Sequence, residues 1–402
     1  MRNGIINWKR SENMIEDKLL TISYKFRQSK LWEYWQPGQV FVLDLPGGDS
    51  AVVRLDVLMS DDYQVLIFKD MEAYQAYLLG EVADDEAKSF QYLEVALAND
   101  YVVLTFQNKS ELMAEEVSRV QEYKREHELV LGGAHSFPRW RHYAPYREPW
   151  SLGETVDQAW LVAVMEALLK VSALLQDAAS LDWTERPARS DRLEFKAMTR
   201  SLENTEPALH DILVGEVLAD DEAAQGLRSR MAVRAEWQSG DGDYDISVML
   251  LEEAAENEES GWADYEDAEA LELEIDHERL RALRECQTTV RLECDLIALP
   301  LLVKGAEDAP GYYPWMVVAA DQRSGNTFAT SLVDSMDSAL AAFIDKCQEE
   351  DLRPLNLVVR NRRAQYVLQP LAEELNISNK IKATPLLDTF EQSLYEEMVL
   401  NK

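Results

Sequence analysis

The sequence predicts a mixed α/β protein with two layered domains, each built on a mixed β-sheet, joined by a helix, a hairpin and an acidic insertion. Apolar runs of strand length alternate with helical patterns in both halves of the chain. With 402 residues, of which 47% are hydrophobic, the chain is long and apolar enough for two or three separate cores. We expect domain boundaries that divide it into residues 1–180, 181–285 and 286–402.

The first domain is expected to open as a β-meander and to continue with helices and a further strand. A Pro-Gly-Gly-Asp turn at residues 46–49 separates the first two apolar runs, and Ser110 stands where the N-cap of a helix is expected. The predicted strands cover residues 40–45, 51–58, 63–68 and 101–106, and the predicted helices cover residues 71–79, 86–97, 111–126 and 154–177.

The middle region and the last domain show the same kinds of signal. Residues 238–243 are rich in Gly and Asp and separate two apolar runs, which predicts a β-hairpin. Pro354 is expected to break a helix, and Pro385 to open the last helix at the favoured first position. The predicted strands cover residues 231–237, 244–251, 315–320, 327–333, 355–359 and 380–384, and the predicted helices cover residues 335–350 and 363–375 and the segment after Pro385.

The formal net charge of −34 is the dominant global property of the chain. It disfavours free nucleic acid and anionic membrane surfaces, because both are bound mainly through Lys and Arg. We therefore expect a protein partner, while the sequence does not indicate an oligomeric state. Residues 251–278 contain 13 Asp or Glu and no Lys or Arg. This segment is interpreted either as a solvated linker or as an acidic tail that mimics nucleic acid.

The cysteine pattern and the apolar stretches indicate a cytoplasmic protein. The chain has three Cys and no Cys-x-x-Cys spacing, which fits a reducing compartment and argues against a structural zinc site. The most apolar stretch, residues 159–175, is interrupted by Glu166 and Lys170 and is short for a membrane span. Because phosphate-cradling glycine loops and zinc-binding histidine patterns are also missing from the sequence, we expect neither a cofactor nor a metal.

Basic and aromatic residues concentrate once, in residues 137–147. Arg pairs with carboxylates or phosphates and aromatic rings offer stacking faces, so this segment is a candidate recognition surface. The alternative is a strap whose rings fill a groove and whose Arg side chains pair with local carboxylates. A second basic group lies near residue 360. The candidate binding residues are Arg139, Trp140, Arg141, His142, Tyr143, Arg360, Arg362 and Arg363.

Two pairs of segments are similar between the two halves of the chain. Residues 144–150 and 309–315 are identical at four of seven positions. In addition, one apolar run ends at Asn108 and another at Asn361, and each Asn is followed by a basic residue and a helical pattern. These similarities favour two related α/β units. The order of the two motifs is reversed between the halves, which a simple tandem duplication does not explain.

The order of strands and helices resembles the ribonuclease H-like fold, most clearly in the last domain. That resemblance implies a carboxylate on the first strand and another at the end of the fourth, which together hold two Mg²⁺ ions. Asp44 and Asp321 each end an apolar run and are candidates for the first position, and Glu391 could be a third ligand. The second position falls on Asn108 or Asn361, both neutral. The resemblance thus implies a magnesium-dependent nuclease or a degenerate relative of one.

Two further sets of residues resemble domains of unknown function that occur together in uncharacterised bacterial proteins. The resemblance covers residues 30–175 and 288–398 and implies a family without implying an activity. It is carried by Leu31-Trp32-Glu33, Phe41-Val42-Leu43, Phe137-Pro138, Tyr143, Pro145 and Pro149, and by residues 291–296, Leu299-Pro300, Tyr312-Tyr313-Pro314, Asp321, Ser324-Gly325, Arg353-Pro354 and Val358-Val359-Arg360.

From these observations we predict a non-catalytic binding or adaptor protein. The alternatives are a metal-dependent ribonuclease H-like nuclease, using Asp321 or Asp44, and an acidic mimic of nucleic acid that works through residues 251–278.

Overall fold

The computed structural model contains two compact units. It describes residues 16–31, 38–59, 62–86, 97–129, 135–152, 156–180, 231–240, 242–250, 276–305, 309–336 and 338–396. The first unit comprises Met1–Gln75, Asp100–Tyr143 and Pro149–Glu253, and the second comprises Ala76–Asn99, Ala144–Glu148 and Ala254–Lys402. Helices and mixed sheets occur in both, so the predicted mixed α/β class is confirmed. The acid-rich residues 251–275 lie outside the described residues.

The first unit is built on a seven-stranded sheet in the order β5-β4-β3-β2-β1-β6-β7. All neighbouring strands are antiparallel except β1 and β6, which are parallel. The strands are β1 Gln39–Asp44, β2 Ser50–Met59, β3 Asp62–Phe68, β4 Tyr101–Gln107, β5 Phe137–Tyr143, β6 Met231–Gln238 and β7 Asp243–Leu250. The helices along this part of the chain are α1 Asp17–Ser29, α2 Met71–Glu86, α3 Ala114–Glu126 and α4 Gln158–Ser180. The residues of α2 from Ala76 on belong to the second unit.

Alternate residues of β1 and β2 enter the core of the first unit, as the two-residue period of a β-strand requires. Phe41 and Leu43 of β1 and Val53 of β2 belong to it, together with Leu20 of α1 and Leu168 of α4, and all five are fully buried. The helices α1 and α4 therefore cover the face of the sheet to which these side chains point.

The hairpin β6–β7 forms where the sequence predicts it, but it belongs to the sheet of the first unit rather than to a separate middle region. Its first strand pairs in parallel with β1, from Val40 with Ala232 to Leu43 with Ala235. A local turn signal specifies the hairpin, whereas nothing local specifies which distant strand it joins. Both observed units are discontinuous in the chain, and the first extends to Glu253.

The second unit is built on a five-stranded sheet in the order β10-β9-β8-β11-β12. β9 is antiparallel to both β8 and β10, and β11 is parallel to both β8 and β12. The strands are β8 Thr288–Ala298, β9 Trp315–Asp321, β10 Thr327–Ala329, β11 Leu352–Val359 and β12 Ser378–Ile381, and the helices are α5 His277–Ala282, α6 Ala339–Glu349, α7 Arg362–Leu375 and α8 Pro385–Tyr395.

The two faces of this second sheet are covered differently. On one face, alternate residues of β8 such as Leu292 and Leu296 join a large core with helices α5, α6 and α7. On the other face, Ile297 of β8 packs with Leu387 and Tyr395 of α8 in a small core. The period of the strand therefore directs Glu293 and Asp295, which have the same parity as Ile297, to the face that α8 covers.

Several local predictions were wrong. β8 and β5 were not predicted, although apolar and polar residues alternate in β8 from Val290 to Leu296. Ser110 does not cap a helix, because α3 begins at Ala114 and uses Met113 as its N-cap. Pro354 does not lie in a helix that it could break. It lies within β11, at an irregularity in the pairing of this strand with β8. Pro385 does open α8, as predicted.

Among the helices in the described parts of the chain, none combines the length and the apolar character that crossing a bilayer requires.

Candidate functional site

A cluster of charged side chains forms where β8, β11 and α8 of the second unit meet. The parallel register pairs Val359 of β11 with Cys294 of β8, so the next residues, Arg360 and Asp295, lie side by side. Asp388 and Glu391 are three residues apart on α8 and therefore project from the same side of that helix. The helix thus brings two further carboxylates to the end of β11.

The guanidinium of Arg360 contacts all three carboxylates. Its Nε lies 2.9 Å from Oδ2 of Asp295, its Nη1 lies 3.1 Å from Oε2 of Glu391, and its Nη2 lies 2.8 Å from Oδ1 of Asp388. The same Nε also donates to Oγ1 of Thr384 at 3.2 Å. A planar guanidinium has five N–H donors, so one Arg can satisfy several carboxylates at once.

The cluster is buried at its centre and open at one corner. The side chains of Asp295, Glu391 and Arg360 are 2%, 8% and 17% exposed, whereas Asp388 is 63% exposed. Taking charges out of water is costly unless they are paired and hydrogen-bonded. The buried carboxylates of Asp295 and Glu391 therefore depend on Arg360.

Backbone and amide donors also bind Asp295 of the cluster and Glu293 beside it. Oδ1 of Asp295 accepts the backbone N–H of Leu296 at 2.8 Å and the Nδ2 amide of Asn361 at 3.2 Å. Asn361 is in turn the N-cap of α7, and its Oδ1 accepts the N–H of Ala364 at 2.8 Å. Two residues before Asp295 on β8, Oε2 of Glu293 accepts the N–H of Leu386 in the first turn of α8 at 3.0 Å.

Burial changes the protonation of the two enclosed carboxyl groups. Burial raises the pKa of Asp295 to about 6, although Arg360 and the N–H of Leu296 oppose that rise. Burial and the negative charge of Asp295 raise the pKa of Glu391 to about 8. A hydrogen bond with Asp295 adds to the rise, because a protonated Glu391 can donate to that carboxylate. The raised pKa of Glu391 favours its protonated form, which reduces the negative charge that Arg360 balances.

The cluster does not fit a magnesium site. Within the described residues, no group of three or more His, Cys, Asp or Glu side chains is arranged to hold a metal ion. The three carboxylates surround a guanidinium, and its positive charge repels a divalent cation at the same position. Mg²⁺ requires oxygen ligands, which here are already bound to Arg360.

The predicted first-strand carboxylate, Asp321, lies elsewhere and makes a turn. It ends β9, the second strand of its sheet, rather than the first. Its Oδ2 accepts the hydroxyl and the N–H of Ser324, at 2.7 and 3.1 Å. These bonds lower the pKa of Asp321 and fix the β9–β10 turn. The carboxylate on the first strand is Asp295, which the sequence analysis did not single out.

Asp44, the corresponding candidate in the first unit, ends β1. Its Oδ2 lies 3.7 Å from Nη2 of Arg234, and both side chains are about two-fifths exposed, at 39% and 42%. Asp44 therefore takes part in a surface ion pair between β1 and β6, which contributes little to stability.

The basic–aromatic residues 137–143 form β5, at one edge of the first sheet. Trp140 is fully buried, and its Nε1 donates to Oγ of Ser23 at 3.0 Å. Arg141 is 7% exposed and forms an ion pair with Glu116 of α3. The ring of Trp140 is therefore a core side chain and does not provide the exposed stacking face that the sequence predicted.

The other members of that segment pair with β4 or with the residues beside it. Nη1 of Arg139 donates to Oε1 of Gln107 at 2.8 Å. Nε2 of His142 lies 2.7 Å from Oδ1 of Asp100, and the ring of Tyr143 stacks on Tyr101 with centroids 4.5 Å apart. These contacts are cross-strand pairs of the kind that stabilise antiparallel sheets. Binding by these residues stays a prediction.

The three side chains of the predicted basic group, Arg360, Arg362 and Arg363, lie in different environments. Arg360 is the centre of the carboxylate cluster. Arg363 lies over the ring of Trp315, 5.0 Å from its centroid, and donates to the hydroxyl of Tyr146 at 3.1 Å. Burial lowers the pKa of Arg363 to about 10. Arg362, the first residue of α7, is exposed.

The two similar motifs of the sequence pair with each other within the second unit. The N–H of Tyr313 donates to the carbonyl of Tyr146 at 3.0 Å, and the N–H of Glu148 donates to the carbonyl of Gly311 at 2.9 Å. The N–H of Gly311 also donates to Oε2 of Glu148 at 3.2 Å. A Cβ at Gly311 would lie only 2.9 Å from that oxygen, so glycine permits the close approach.

Asp295, Asp388 and Glu293 were not predicted from the sequence. Acidic residues placed among apolar ones could have indicated buried carboxylates. Glu293 and Asp295 alternate with Leu292, Cys294 and Leu296, and a carboxylate inside a buried strand needs a partner. Likewise, Glu391 stands midway between Leu387 and Tyr395 on the buried stripe of α8.

Two family models match the chain. Residues 17–195 match a domain of unknown function (DUF7309), and residues 278–395 match a second domain of unknown function (DUF6930). Neither a curated protein nor a solved structure matches it.

Proposed function

We propose that this two-domain chain, in which a DUF7309 domain precedes a DUF6930 domain, is a non-catalytic binding or adaptor protein whose partner is another protein. The observation that carries the proposal is the position of Arg360. Its guanidinium contacts Asp295, Asp388 and Glu391. These are the carboxylates that would have to bind metal ions if the second unit were a metal-dependent nuclease.

A guanidinium cannot replace the metal ions of a nuclease in catalysis. A two-metal nuclease stabilises the attacking and the leaving oxygen with exchangeable divalent cations that also bind water. A guanidinium is a fixed monovalent cation, does not lower the pKa of a bound water as a metal does, and remains protonated throughout the physiological range. In this cluster the carboxylates are bound to Arg360. They therefore do not hold a metal ion that could contact a substrate.

The alternative reading, a degenerate ribonuclease H-like unit, is supported by the same residues. If β8 is taken as the first strand and β11 as the fourth, Asp295 stands on the first strand and Arg360 directly follows the fourth. Glu391 stands on the last described helix. Under this proposal Arg360, one residue before the predicted Asn361, has taken the position at the end of the fourth strand where the resemblance implies a carboxylate.

The test of the non-catalytic part is calorimetric titration of the full chain with Mg²⁺ and with Mn²⁺. We expect no site-specific heat for the natural sequence or for Asp295→Asn. Asp321→Asn is the matched control, because Asp321 is a turn carboxylate outside the cluster. Micromolar binding that Asp295→Asn abolishes and Asp321→Asn leaves intact would overturn the proposal and favour the nuclease.

The binding part rests on charge and exposure. The net charge of −34 disfavours nucleic acid and anionic lipid as partners, and Arg362 is an exposed cation at the start of α7. A cytoplasmic location is part of the proposal, because the three cysteines are free. A protein partner that places a single carboxylate beside Arg362 would fit, because screening limits the reach of the overall negative charge to roughly 8 Å at physiological salt.

The test of the binding part is quantitative cross-linking of the tagged full chain in its native cytoplasm. We expect Arg362→Glu to lose a defined partner, because it inverts the charge at the start of α7. Lys382→Glu, an equally exposed charge reversal beyond β12, should keep that partner. An identical set of cross-linked proteins for both variants would remove Arg362 from the proposal, and recovery of nucleic acid alone would contradict a protein partner.

A further inference from the structure

We infer that α8 is a pH-dependent flap on one face of the second sheet, because loss of a proton from Glu391 weakens the attachment of this helix and favours its local opening. The opening is a regulatory property of the second unit and is independent of the protein partner proposed above. Three features of the unit support it: the charges that surround Glu391, the hydrogen bond that its proton allows, and the small core that α8 covers.

The side chain of Glu391 meets one cation and several acids. Nη1 of Arg360, which follows β11, lies 3.1 Å from Oε2 of Glu391. The same guanidinium contacts Asp295 of β8 and Asp388 of α8. Glu293 is a further carboxylate of β8 on the face that α8 covers. β9, the second strand under α8, contributes apolar side chains to that face, namely Met316, Val318 and Ala320. The ionised form of Glu391 therefore faces more negative than positive charge.

The proton of Glu391 helps to attach α8 to the sheet. Burial and the negative charge of Asp295 raise the pKa of Glu391 to about 8, and a hydrogen bond with Asp295 adds to the rise. Loss of the proton removes that hydrogen bond and leaves two buried, ionised carboxyl groups beside one guanidinium. In an open α8 the carboxylate of Glu391 would be in water, where its charge costs little. A rising pH therefore favours the open helix.

The apolar attachment of α8 is separate from the core that holds the other helices of the second unit. Leu387 and Tyr395 of α8 pack on Ile297 of β8 and Met316 of β9 in the small core. The opposite face of the same two strands belongs to the large core with α5, α6 and α7. Opening of α8 therefore exposes the small core and leaves the large one intact. Such a local opening costs less free energy than global unfolding.

The direction of the pH effect is set by the two states of Glu391. Its pKa is about 8 in the closed helix and 4.5 in water, so the proton stabilises the closed helix fully below pH 4.5. As the pH rises to about 8 this stabilisation is lost, and the opening equilibrium increases about tenfold per pH unit. Asp295, whose pKa is raised to about 6, is ionised above that pH. The difference between the closed and the open state from pH 6 to 8 therefore comes mainly from Glu391.

The experiment is hydrogen–deuterium exchange of the full chain between pH 6 and 8, followed by mass spectrometry and corrected for the direct effect of pH on exchange. We expect the protection of the backbone amides of residues 389–395 in α8 to fall about tenfold per pH unit and to stay below that of residues 366–375 in α7. A low concentration of urea should speed exchange in α7 more than in α8, because a local opening exposes less surface than global unfolding.

Two variants identify the group that titrates. Glu391→Gln has a side chain that can donate to Asp295 at every pH, so its α8 amides should keep their protection between pH 6 and 8. Glu349→Gln, which changes an exposed acid of α6, should show the same loss as the natural chain. Protection of α8 that is independent of pH in the natural chain, or that falls equally in Glu391→Gln, would overturn the inference.

The comparison of α8 with α7 in the natural chain applies even if Glu391→Gln does not fold. Equal protection and equal urea dependence of the two helices would overturn the inference, because α8 would then open only when the whole unit unfolds.

Discussion

The end of β4 in the first unit and the end of β11 in the second unit have similar sequences but make different contacts. In both, an apolar strand is followed by an Asn that stands before a helical segment. Asn108 is the N-cap residue of a short 3₁₀ turn and accepts the N–H of His135 at 3.1 Å, whereas Asn361 caps α7 and donates to Asp295. The short motif therefore specifies a strand end and a turn, and its neighbours decide the rest.

The residue before each Asn shows the difference most clearly. Gln107 accepts a hydrogen bond from Arg139 of β5, so the positive charge comes from the neighbouring strand. Arg360 supplies the charge itself, to carboxylates of β8 and α8. β4 pairs with antiparallel strands on both sides, and β11 with parallel strands on both sides. Different sheet neighbours thus turn the same local pattern into a polar pair in one unit and a buried charge cluster in the other.

The largest expected effect separates Arg360 from Gln107. Arg360→Met leaves the buried acids Asp295 and Glu391 without their cation, and we expect the free energy of unfolding to fall by about 3–5 kcal/mol at pH 7. Gln107→Met removes one hydrogen bond and should cost about 1 kcal/mol. Urea denaturation followed by circular dichroism measures both. Equal losses in the two variants would show that the two strand ends are energetically alike.

The next prediction concerns pH and Glu391. Its pKa rises from 4.5 to about 8 in the folded chain, so folding favours the protonated form. The stability that this proton contributes is present below pH 4.5 and is lost as the pH rises towards 8. Glu391→Gln removes the dependence and should raise the free energy of unfolding at pH 9 by about 2–4 kcal/mol relative to the natural chain.

The matched control for the pH experiment is Glu349→Gln. Glu349 lies on α6 and is 69% exposed, so its substitution should leave the pH profile unchanged. Asp295 contributes a parallel loss of stability at lower pH, between its ordinary value of 3.8 and about 6. If the profile of Glu391→Gln kept the slope of the natural chain between pH 6 and 8, Glu391 would not carry the proton.

A smaller effect compares the two Asn residues directly. Asn361→Ala removes the N-cap of α7 and a donor to the buried Asp295, and we expect a loss of about 1–3 kcal/mol. Asn108→Ala removes an acceptor next to a short 3₁₀ turn and should cost no more than about 1 kcal/mol. Thermal unfolding of both variants provides the measurement. The reverse order would mean that the contact with Asp295 adds nothing to the cap.

The smallest expected effect involves the two carboxylates that the sequence proposed as ligands. Asp321→Asn weakens hydrogen bonds in the partly exposed β9–β10 turn and should cost about 0.5–1 kcal/mol. Asp44→Asn removes a surface ion pair and should change stability by less than about 0.5 kcal/mol. Both values come from chemical denaturation at pH 7. A loss above about 3 kcal/mol for either would place that carboxylate in a buried network.

Local sequence patterns predicted the hairpin β6–β7 and most strands and helices of the second unit well. Predicted residues 315–320 and 363–375 compare with Trp315–Asp321 and Arg362–Leu375 in the structure. Glycine-rich turns, a helix-opening proline and the spacing of apolar residues act over a few positions and can be recognised without tertiary contacts. β8 was not predicted although its residues alternate from Val290 to Leu296, and only the fold shows that Glu293 and Asp295 of the polar set are buried.

The sequence by itself determined the mixed α/β class, the acidic character and the presence of an Asn and a cation at the end of a strand. Only the tertiary structure decided that Asp295, Arg360 and Glu391 meet, and that the two similar motifs at residues 146–148 and 311–313 pair with each other. Strand order, parallel register and the face covered by α8 bring together residues that are far apart in the chain. No local pattern encodes such pairings, because the burial and the contacts between charges that stabilise them form only in the folded state.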